Sequence, residues 1–277
     1  MSTISRPLLR STRAPKLIDT LTRPLYWLYE RQLLQTVRAQ QRLPKHIGII
    51  MDGNRRFARS IGLDVRAGHN YGADKAREVL DWCLELGIPH VTLWGFSKDN
   101  RNRTADEVIH LHQLFAEQAR ELMGDERLHR NRVRVQIIGE LGDFPEESRE
   151  ALREMEEATR DYGGMRLNVA LGYGGREEIV AAIRNLLAEK QRQGVALEEL
   201  ARTLDAGEIG RHLYTAGMPD PDFVIRTSGE VRLSGFLLWQ TAYSEFYFCD
   251  AFWPDFRKID FLRALRHFQA RERRFGR

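Results

Sequence analysis

Short apolar runs and helical stripes alternate along most of the chain. The runs fall at His46 to Met51, His90 to Phe96, Val133 to Ile138, Met165 to Leu171, Phe223 to Arg226 and Phe246 to Cys249. Each has strand length and few polar interruptions, as expected of strands covered on both faces. Between them the period becomes helical. Asn70 to Leu86 puts Ala73, Ala76, Leu80, Cys83 and Leu84 on one face, and Gly87 followed by Pro89 stops it. Thr104 and Glu107 have the spacing of a capping box for a helix to about Met123. Glu146 to Tyr162 is charged and amphipathic, closed by Gly163-Gly164, and a further helix runs from near Arg176 to Gly194. This alternation predicts an α/β fold with a mostly parallel central sheet of about six strands and helices on both faces.

Ligands of such sheets bind outside the carboxyl ends of the strands, so the residues just past each run carry the candidate chemistry. The first run, in "HIGIIMDGNRRF", ends in Asp52, Gly53, Asn54, Arg55, Arg56 and Phe57. The second is followed by Ser97, Asp99, Asn100, Arg101 and Arg103. The fourth leads into Gly172-Tyr173-Gly174-Gly175-Arg176, and the fifth into Arg226-Thr227-Ser228-Gly229-Glu230, then Arg232 and Ser234. Guanidinium forks, hydroxyls and glycine amides are phosphate chemistry. A magnesium ion fits the lone carboxylate, because it binds through one or two carboxylates and the substrate's phosphates. Taken singly, each piece has a plainer reading: Asp-Gly-Asn as a turn, the glycine run as a tight strand-to-helix connection, Arg101 and Arg103 as a solvated loop, His69 as a helix cap. Their convergence on one sheet edge is what singles them out. The glycine run lacks both Walker lysine spacing and the dinucleotide fingerprint.

Composition narrows the picture further. The chain has 277 residues, 42% hydrophobic and 30% charged, enough for one large domain, with or without an appendage. The net charge of +4 is a weak argument for an anionic partner. It is unevenly placed, because the first 43 residues hold eight Lys/Arg against Asp19 and Glu30. That segment, residues 1–43, reads as a basic and helical N-terminal extension, with no apolar run long enough for a signal or a membrane span. A cytoplasmic protein is expected. Leu25 to Tyr29 among arginines suits either a helix packed on the domain, which is favoured slightly, or peripheral contact with anionic lipid. The two cysteines, Cys83 and Cys249, read as buried thiols with no zinc or disulfide spacing. No continuous basic stripe with interleaved aromatics supports nucleic-acid binding.

As a group, "HIGIIMDGNRRFARSIG", Gly68-His69, "FSKDNRNR", "GYGGREEI", "DFVIRTSGEVRLSGFLLWQTAYSEFYF" and "WPDF" resemble the cis-prenyltransferases, the undecaprenyl diphosphate synthase family. The resemblance covers roughly Pro44 to Arg277, which makes 44–277 a single catalytic domain. It implies magnesium-dependent condensation of isopentenyl diphosphate with an allylic prenyl diphosphate (geranyl, farnesyl or geranylgeranyl), each new double bond cis.

Residue by residue, the resemblance makes Asp52 the catalytic aspartate that holds magnesium, and Asn54 the asparagine that assists diphosphate departure. Arg56 and Arg103 match residues that grip the allylic diphosphate, with Gly53, Arg55, Phe57 and Arg101 alongside as substrate-binding. His69, Ser97 and Asn100 match the polar group around the leaving group. Arg226, Arg232 and Ser234 match the isopentenyl diphosphate site, and Glu245 an acid associated with magnesium and the dimer partner. Arg274 and Gly276 match a C-terminal element that reaches across a homodimer. Ile50, Leu93, Phe96, Ile109, Leu111, Phe115 and Ile138 are candidates for a hydrocarbon tunnel.

The chain departs from the family pattern at Val65, where many members carry arginine, and at Asp99 and Arg101, where glutamate and an aromatic are usual. Gly95 stands where some short-product relatives carry a bulky residue, which favours a medium or long product over a short Z-farnesyl one. A noncatalytic partner subunit would have lost Asp52 and much of the arginine set. A trans-prenyltransferase needs aspartate-rich helices, and this sequence has no adjacent aspartates.

Overall fold

The computed structural model describes residues 16–40 and 42–271. Six strands form one sheet in the order β3-β4-β2-β1-β5-β6. They are β1 (His46–Ile50), β2 (His90–Ser97), β3 (Arg134–Ile138), β4 (Arg166–Tyr173), β5 (Phe223–Arg226) and β6 (Glu245–Phe248). Every pairing is parallel, so all carboxyl ends share one edge. The helices in chain order are α1 (Lys16–Ala39), α2 (Asn54–Ser60), α3 (Val65–Leu86), α4 (Ala105–Met123), α5 (Glu126–Arg130), α6 (Glu146–Thr159), α7 (Gly175–Arg192), α8 (Leu197–Thr203), α9 (Ala206–Gly210) and α10 (Lys258–Ala270).

Two apolar layers flank the sheet. Ile47 and Ile49 of β1 face the larger one, with residues of α3, α4, α6 and α10. Ile50, Ile138, Tyr173 and Val224 face the smaller one, with Phe236 and Leu237. The alternation along β1 follows from the pleat. The chain passes from β1 to β2 on one side and later crosses from β4 to β5 on the other side of β1, so the carboxyl end of β1 is the crevice of the sheet.

Several boundaries differ from the sequence expectation for identifiable reasons. Helix α3 begins at Val65 rather than Asn70, because Asp64 caps it by accepting from the Arg66 amide. His69 therefore lies inside the helix and does not cap it. The Thr104–Glu107 capping box does not form: Thr104 makes no side-chain cap bond, and Glu107 turns inward instead. Helix α6 stops at Thr159, whose hydroxyl bonds back to the Met155 carbonyl. Cys83 is fully buried, whereas Cys249 is only partly so, and both thiols are free.

Helix α1 packs against α10. Its Leu33 and Val37 are buried, and Gln269 donates to the Val37 carbonyl at 2.8 Å. Tyr26, Trp27 and Leu28 on the same helix stay exposed.

Candidate active site

The chain leaves β1 through Asp52 and turns at Gly53 into α2. Gly53 has φ of 108°, and a Cβ there would meet Phe252 Cδ1 at 2.9 Å, so only glycine fits this turn. Behind it, the Trp253 amide donates to the Asp52 carbonyl at 3.0 Å, and the Trp253 indole donates to the Gly72 carbonyl at 2.8 Å. These bonds tie the end of β1 to α3.

Asp52 is the hub of one polar cluster. Its Oδ2 accepts from Arg226 at 2.8 Å and its Oδ1 from Arg56 at 3.2 Å. Burial opposes charge on this carboxyl, but the hydrogen bond and charge of Arg226, with those of Arg56, outweigh it and hold its pKa below the ordinary aspartate value. Arg226 is only 4% exposed and also donates to Ser234 Oγ at 2.9 Å and to the Arg232 carbonyl. Arg56 donates to Ser228 Oγ at 2.6 Å and to Glu230 at 3.2 Å, with its guanidinium over the Phe252 ring.

Glu107 is the hub of a second cluster. Its Oε1 lies 3.0 Å from His69 Nε2, 2.9 Å from Arg103 and 3.5 Å from Arg55 Nε. Desolvation opposes its charge, but His69 and the two guanidiniums win and lower its pKa. The ionised carboxylate can only accept, so His69 carries its proton on Nε2 and leaves Nδ1 as an acceptor. Burial lowers the His69 pKa despite this partner, which keeps the ring neutral near pH 7. Ser97 and Asn100 cap the tight turn Lys98–Asn102 reciprocally: the Asn100 amide donates to Ser97 Oγ, and the Ser97 amide to Asn100 Oδ1.

These residues line a pocket of about 390 Å³ at the carboxyl edge: Asp52, Gly53, Asn54, Arg55, Arg56, His69, Ser97, Asn100, Arg103, Arg226 and Ser234 all reach it. Its arginines outnumber its carboxylates, which makes it an anion site. Asn54 donates to the Met51 carbonyl at 3.3 Å, while its Oδ1 is buried without a hydrogen-bond partner among the described residues. That oxygen would be 2.4 Å from a Cβ at Gly72.

Other expected site residues lie elsewhere. Phe57 packs edge-on against Tyr71. Arg101 turns outward to Asp143 at 2.7 Å. Arg232 is largely exposed beside Glu230, and its backbone carbonyl, not its guanidinium, engages Arg226. Glu245 opens β6 opposite Phe223, the first residue of β5, and pairs with Arg271 at 2.7 Å. Parallel pairing thus puts it at the amino edge, so one chain does not bring it to Asp52. The Gly172–Arg176 run does not join the pocket either: Gly175 donates to the Gly235 carbonyl at 3.0 Å and Arg176 is exposed. Arg274 and Gly276 lie outside the described residues.

Two pocket features escape the sequence reading. Arg59 lines the pocket, and its signal was its position one helical turn from Arg55 and Arg56. Glu107 has a signal too, at i+4 from Arg103, but the capping-box spacing conceals it.

A second, apolar cavity of about 120 Å³ opens off the pocket, and Met51, Asn54, His69, Gly95 and Leu111 belong to both walls. Of the tunnel candidates, Leu93, Leu111 and Phe115 line it. Ile50 lines the polar pocket instead. Phe96 is packed among His112, Phe115 and Phe144, Ile138 is on the opposite face of the sheet, and Ile109 is 52% exposed. Gly95 keeps the cavity open, since a Cβ there would come within 3.0 Å of Leu171 and 3.1 Å of Phe115.

The undecaprenyl diphosphate synthase family matches the chain over residues 50–276. The chain is 56% identical over 265 residues to an isoprenyl transferase of Deinococcus radiodurans, covering 95% of this chain and 97% of that one. It is 48% identical over 255 residues to a tritrans,polycis-undecaprenyl-diphosphate synthase (geranylgeranyl-diphosphate specific) of Methanopyrus kandleri, covering 92% of each. Among solved structures, a lavandulyl diphosphate synthase from Lavandula x intermedia in complex with dimethylallyl diphosphate superposes with a TM-score of 0.79 at 34% identity. That match covers 85% of this chain and 99% of the other.

Proposed function

The chain belongs to the undecaprenyl diphosphate synthase family of prenyltransferases, and from that premise we propose that it makes a Z-polyprenyl diphosphate of medium or long chain. It does so by condensing isopentenyl diphosphate with an allylic prenyl diphosphate. The observation that carries this reading is the shared wall between an arginine-lined pocket and an apolar cavity. Such a pair accepts a molecule with a diphosphate head and a hydrocarbon tail.

Ionising the allylic carbon–oxygen bond places extra negative charge on the departing diphosphate. Arg56 and Arg103, already oriented by Asp52 and Glu107, meet that charge without reorganising. Arg226, fixed by Asp52 and Ser234, holds isopentenyl diphosphate so that its double bond faces the allylic carbon, a positioning contribution. His69 Nδ1, left as an acceptor by the Nε2 contact with Glu107, takes the proton lost after bond formation, whereas the unpaired Asn54 Oδ1, an amide oxygen, accepts only a hydrogen bond from the bound substrate. Ser97 and Asn100 keep the loop that carries Arg103 in place.

Magnesium fits this donor set. Among the described residues no cluster of side chains could hold a metal alone, but an ionised Asp52 together with diphosphate oxygens is the arrangement this ion takes. When bound, it neutralises diphosphate charge.

The same reading includes a homodimer across the β6 edge, where Tyr243 is exposed. It also includes a cytoplasmic enzyme resting on anionic lipid through Tyr26, Trp27 and Leu28. Among the described residues no helix is long and apolar enough to cross a membrane.

The test is incubation with magnesium, labelled isopentenyl diphosphate and, separately, geranyl, farnesyl and geranylgeranyl diphosphate, with Asp52→Ala as control. Cis products that vanish in the variant are expected. No turnover with any primer would favour a noncatalytic partner subunit.

A further inference from the structure

The far end of the apolar cavity is not wholly apolar, because Arg77 and Gln118 stand there beside Leu80, Leu122 and Leu167. From its mouth at His69 the wall follows α3 through Gly72, Ala73 and Ala76 to Arg77 and Leu80. A smaller apolar space of about 40 Å³ begins behind the same residues. Arg77, Leu80, Leu122 and Leu167 line both spaces; Leu84, Leu128, Val133 and Met165 line only the inner one, whose rim also holds Arg127 ion-paired with Asp81 and Asp125. From His69 to Leu84, α3 rises by about 22 Å. The lining residues of β4 and the segment before it recede in the same direction, Val169, Leu167, then Met165. The two spaces therefore run in line from the carboxyl edge of the sheet toward its amino edge, with Arg77 between them.

Arg77 lines both spaces and is tethered to α4. Its terminal nitrogen donates to Gln118 Oε1 at 2.6 Å, and its guanidinium pairs with Glu121. Its Nε is buried with no hydrogen-bond partner among the described residues. A hydrocarbon tail advancing through the outer cavity meets a charged group that it cannot solvate, and pushing past would strip that group of its partners. Nothing in the polar pocket's chemistry requires an arginine here, some two helical turns from His69.

The geometry points to Arg77 as the residue that stops the growing tail, and to the inner space as a subsite for distal isoprene units that opens only when the guanidinium is removed. This inference rests on the prenyl-elongation reading above.

The experiment measures two quantities on the full chain with magnesium, farnesyl diphosphate and labelled isopentenyl diphosphate: the rate of the first condensation and the final product-length distribution. Arg77→Leu and Arg77→Ala are expected to lengthen the products by one or more isoprene units with the first-condensation rate unchanged. Gln118→Leu, which releases the guanidinium toward Glu121 while keeping its stem, is expected to do the same and serves if the Arg77 variants fold poorly. Leu84→Trp fills the inner space: alone it leaves the distribution as in the parent, and combined with Arg77→Ala it cancels the lengthening. Unchanged or shorter products in the Arg77 and Gln118 variants would overturn the gate, as would shortening by Leu84→Trp alone. Elongation by the parent with unaltered lengths in the variants defeats the gate only, whereas no elongation by the parent with any primer defeats the function and the gate together.

Discussion

The two ends of β1 each carry a titratable group, one fully buried and one half-buried, and they are built on opposite terms. At the amino end, His46 is fully buried and satisfied within the chain: Nδ1 lies 2.7 Å from the Pro219 carbonyl and Nε2 2.8 Å from Thr92 Oγ1, which also accepts from Asn168. At the carboxyl end, the network around Asp52 is dense but incomplete, with Asn54 Oδ1 and Arg226 Nε buried and unpartnered among the described residues. A closed network fixes the fold. An open one, rich in cations, keeps hydrogen-bonding capacity for a ligand, and leaving buried polar atoms unpaired costs about 1–3 kcal/mol each in the free protein.

Experiments at the two ends should therefore separate activity from stability. The largest effect is expected at Asp52: Asp52→Ala should lower the initial condensation rate by on the order of a hundredfold to a thousandfold, read as labelled product per minute.

His46 should act on stability alone. Burial, opposed by the Pro219 hydrogen bond, pushes its pKa from 6.5 to about 4. A depressed folded-state pKa means the stabilisation is complete above pH 6.5 and is lost as the pH falls toward 4, in total about 3 kcal/mol. Urea unfolding across that window should follow this slope, and His46→Gln should flatten it. An unchanged slope would break the contrast.

Next in size is ligand stabilisation. Inorganic diphosphate at a hundred times its dissociation constant should raise the unfolding free energy by about 2.7 kcal/mol, and Arg226→Ala should weaken that response while His46→Gln should not.

The smallest effect belongs to Glu107. Glu107→Gln keeps an acceptor for His69 but loses the charge that orients Arg55 and Arg103, so KM for the allylic diphosphate should rise roughly tenfold, about 1.4 kcal/mol. A fall in kcat with KM unchanged would instead give Glu107 a role in the chemical step.

Much of this organisation was legible from the residues. The strands are nearly continuous apolar runs, so their number and parallel pairing follow from burial on both faces, and the strand-end rule assembles Asp52, Asn54, Arg103 and Arg226 before any contact is seen. What stayed hidden depended on direction. Whether Phe96, Ile109 or Ile138 faces the cavity, the core or solvent is set by rotation and by which sheet face is covered, and a stripe of apolar letters does not carry that. Glu107 satisfies two spacings at once, and only tertiary packing chooses the inward one. Glu245 is the first residue of its strand, so the strand-end rule puts it at the far edge, and the family resemblance alone links it to the metal. The early start of α3 was masked by Gly68, a poor helix former, yet a Cβ there would strike the Asn54 carbonyl oxygen at 2.3 Å. That glycine serves the junction of α2 and α3 and not the helix.

The Asp52–Arg226 pair joins residues 174 positions apart, and that separation sets a clock on synthesis. At about 5–20 residues per second, Asp52 leaves the ribosome's peptidyl centre roughly 10 to 35 s before its partner is even polymerised. Trp253, which pins the Asp52 carbonyl and α3, comes later still. The nascent chain therefore carries the first strand's acidic end with Arg56 beside it but without the Arg226 guanidinium throughout most of translation. The complete pocket needs Arg226 and Ser234, so stabilisation of that pocket by a diphosphate is available only after most of the polypeptide has been made.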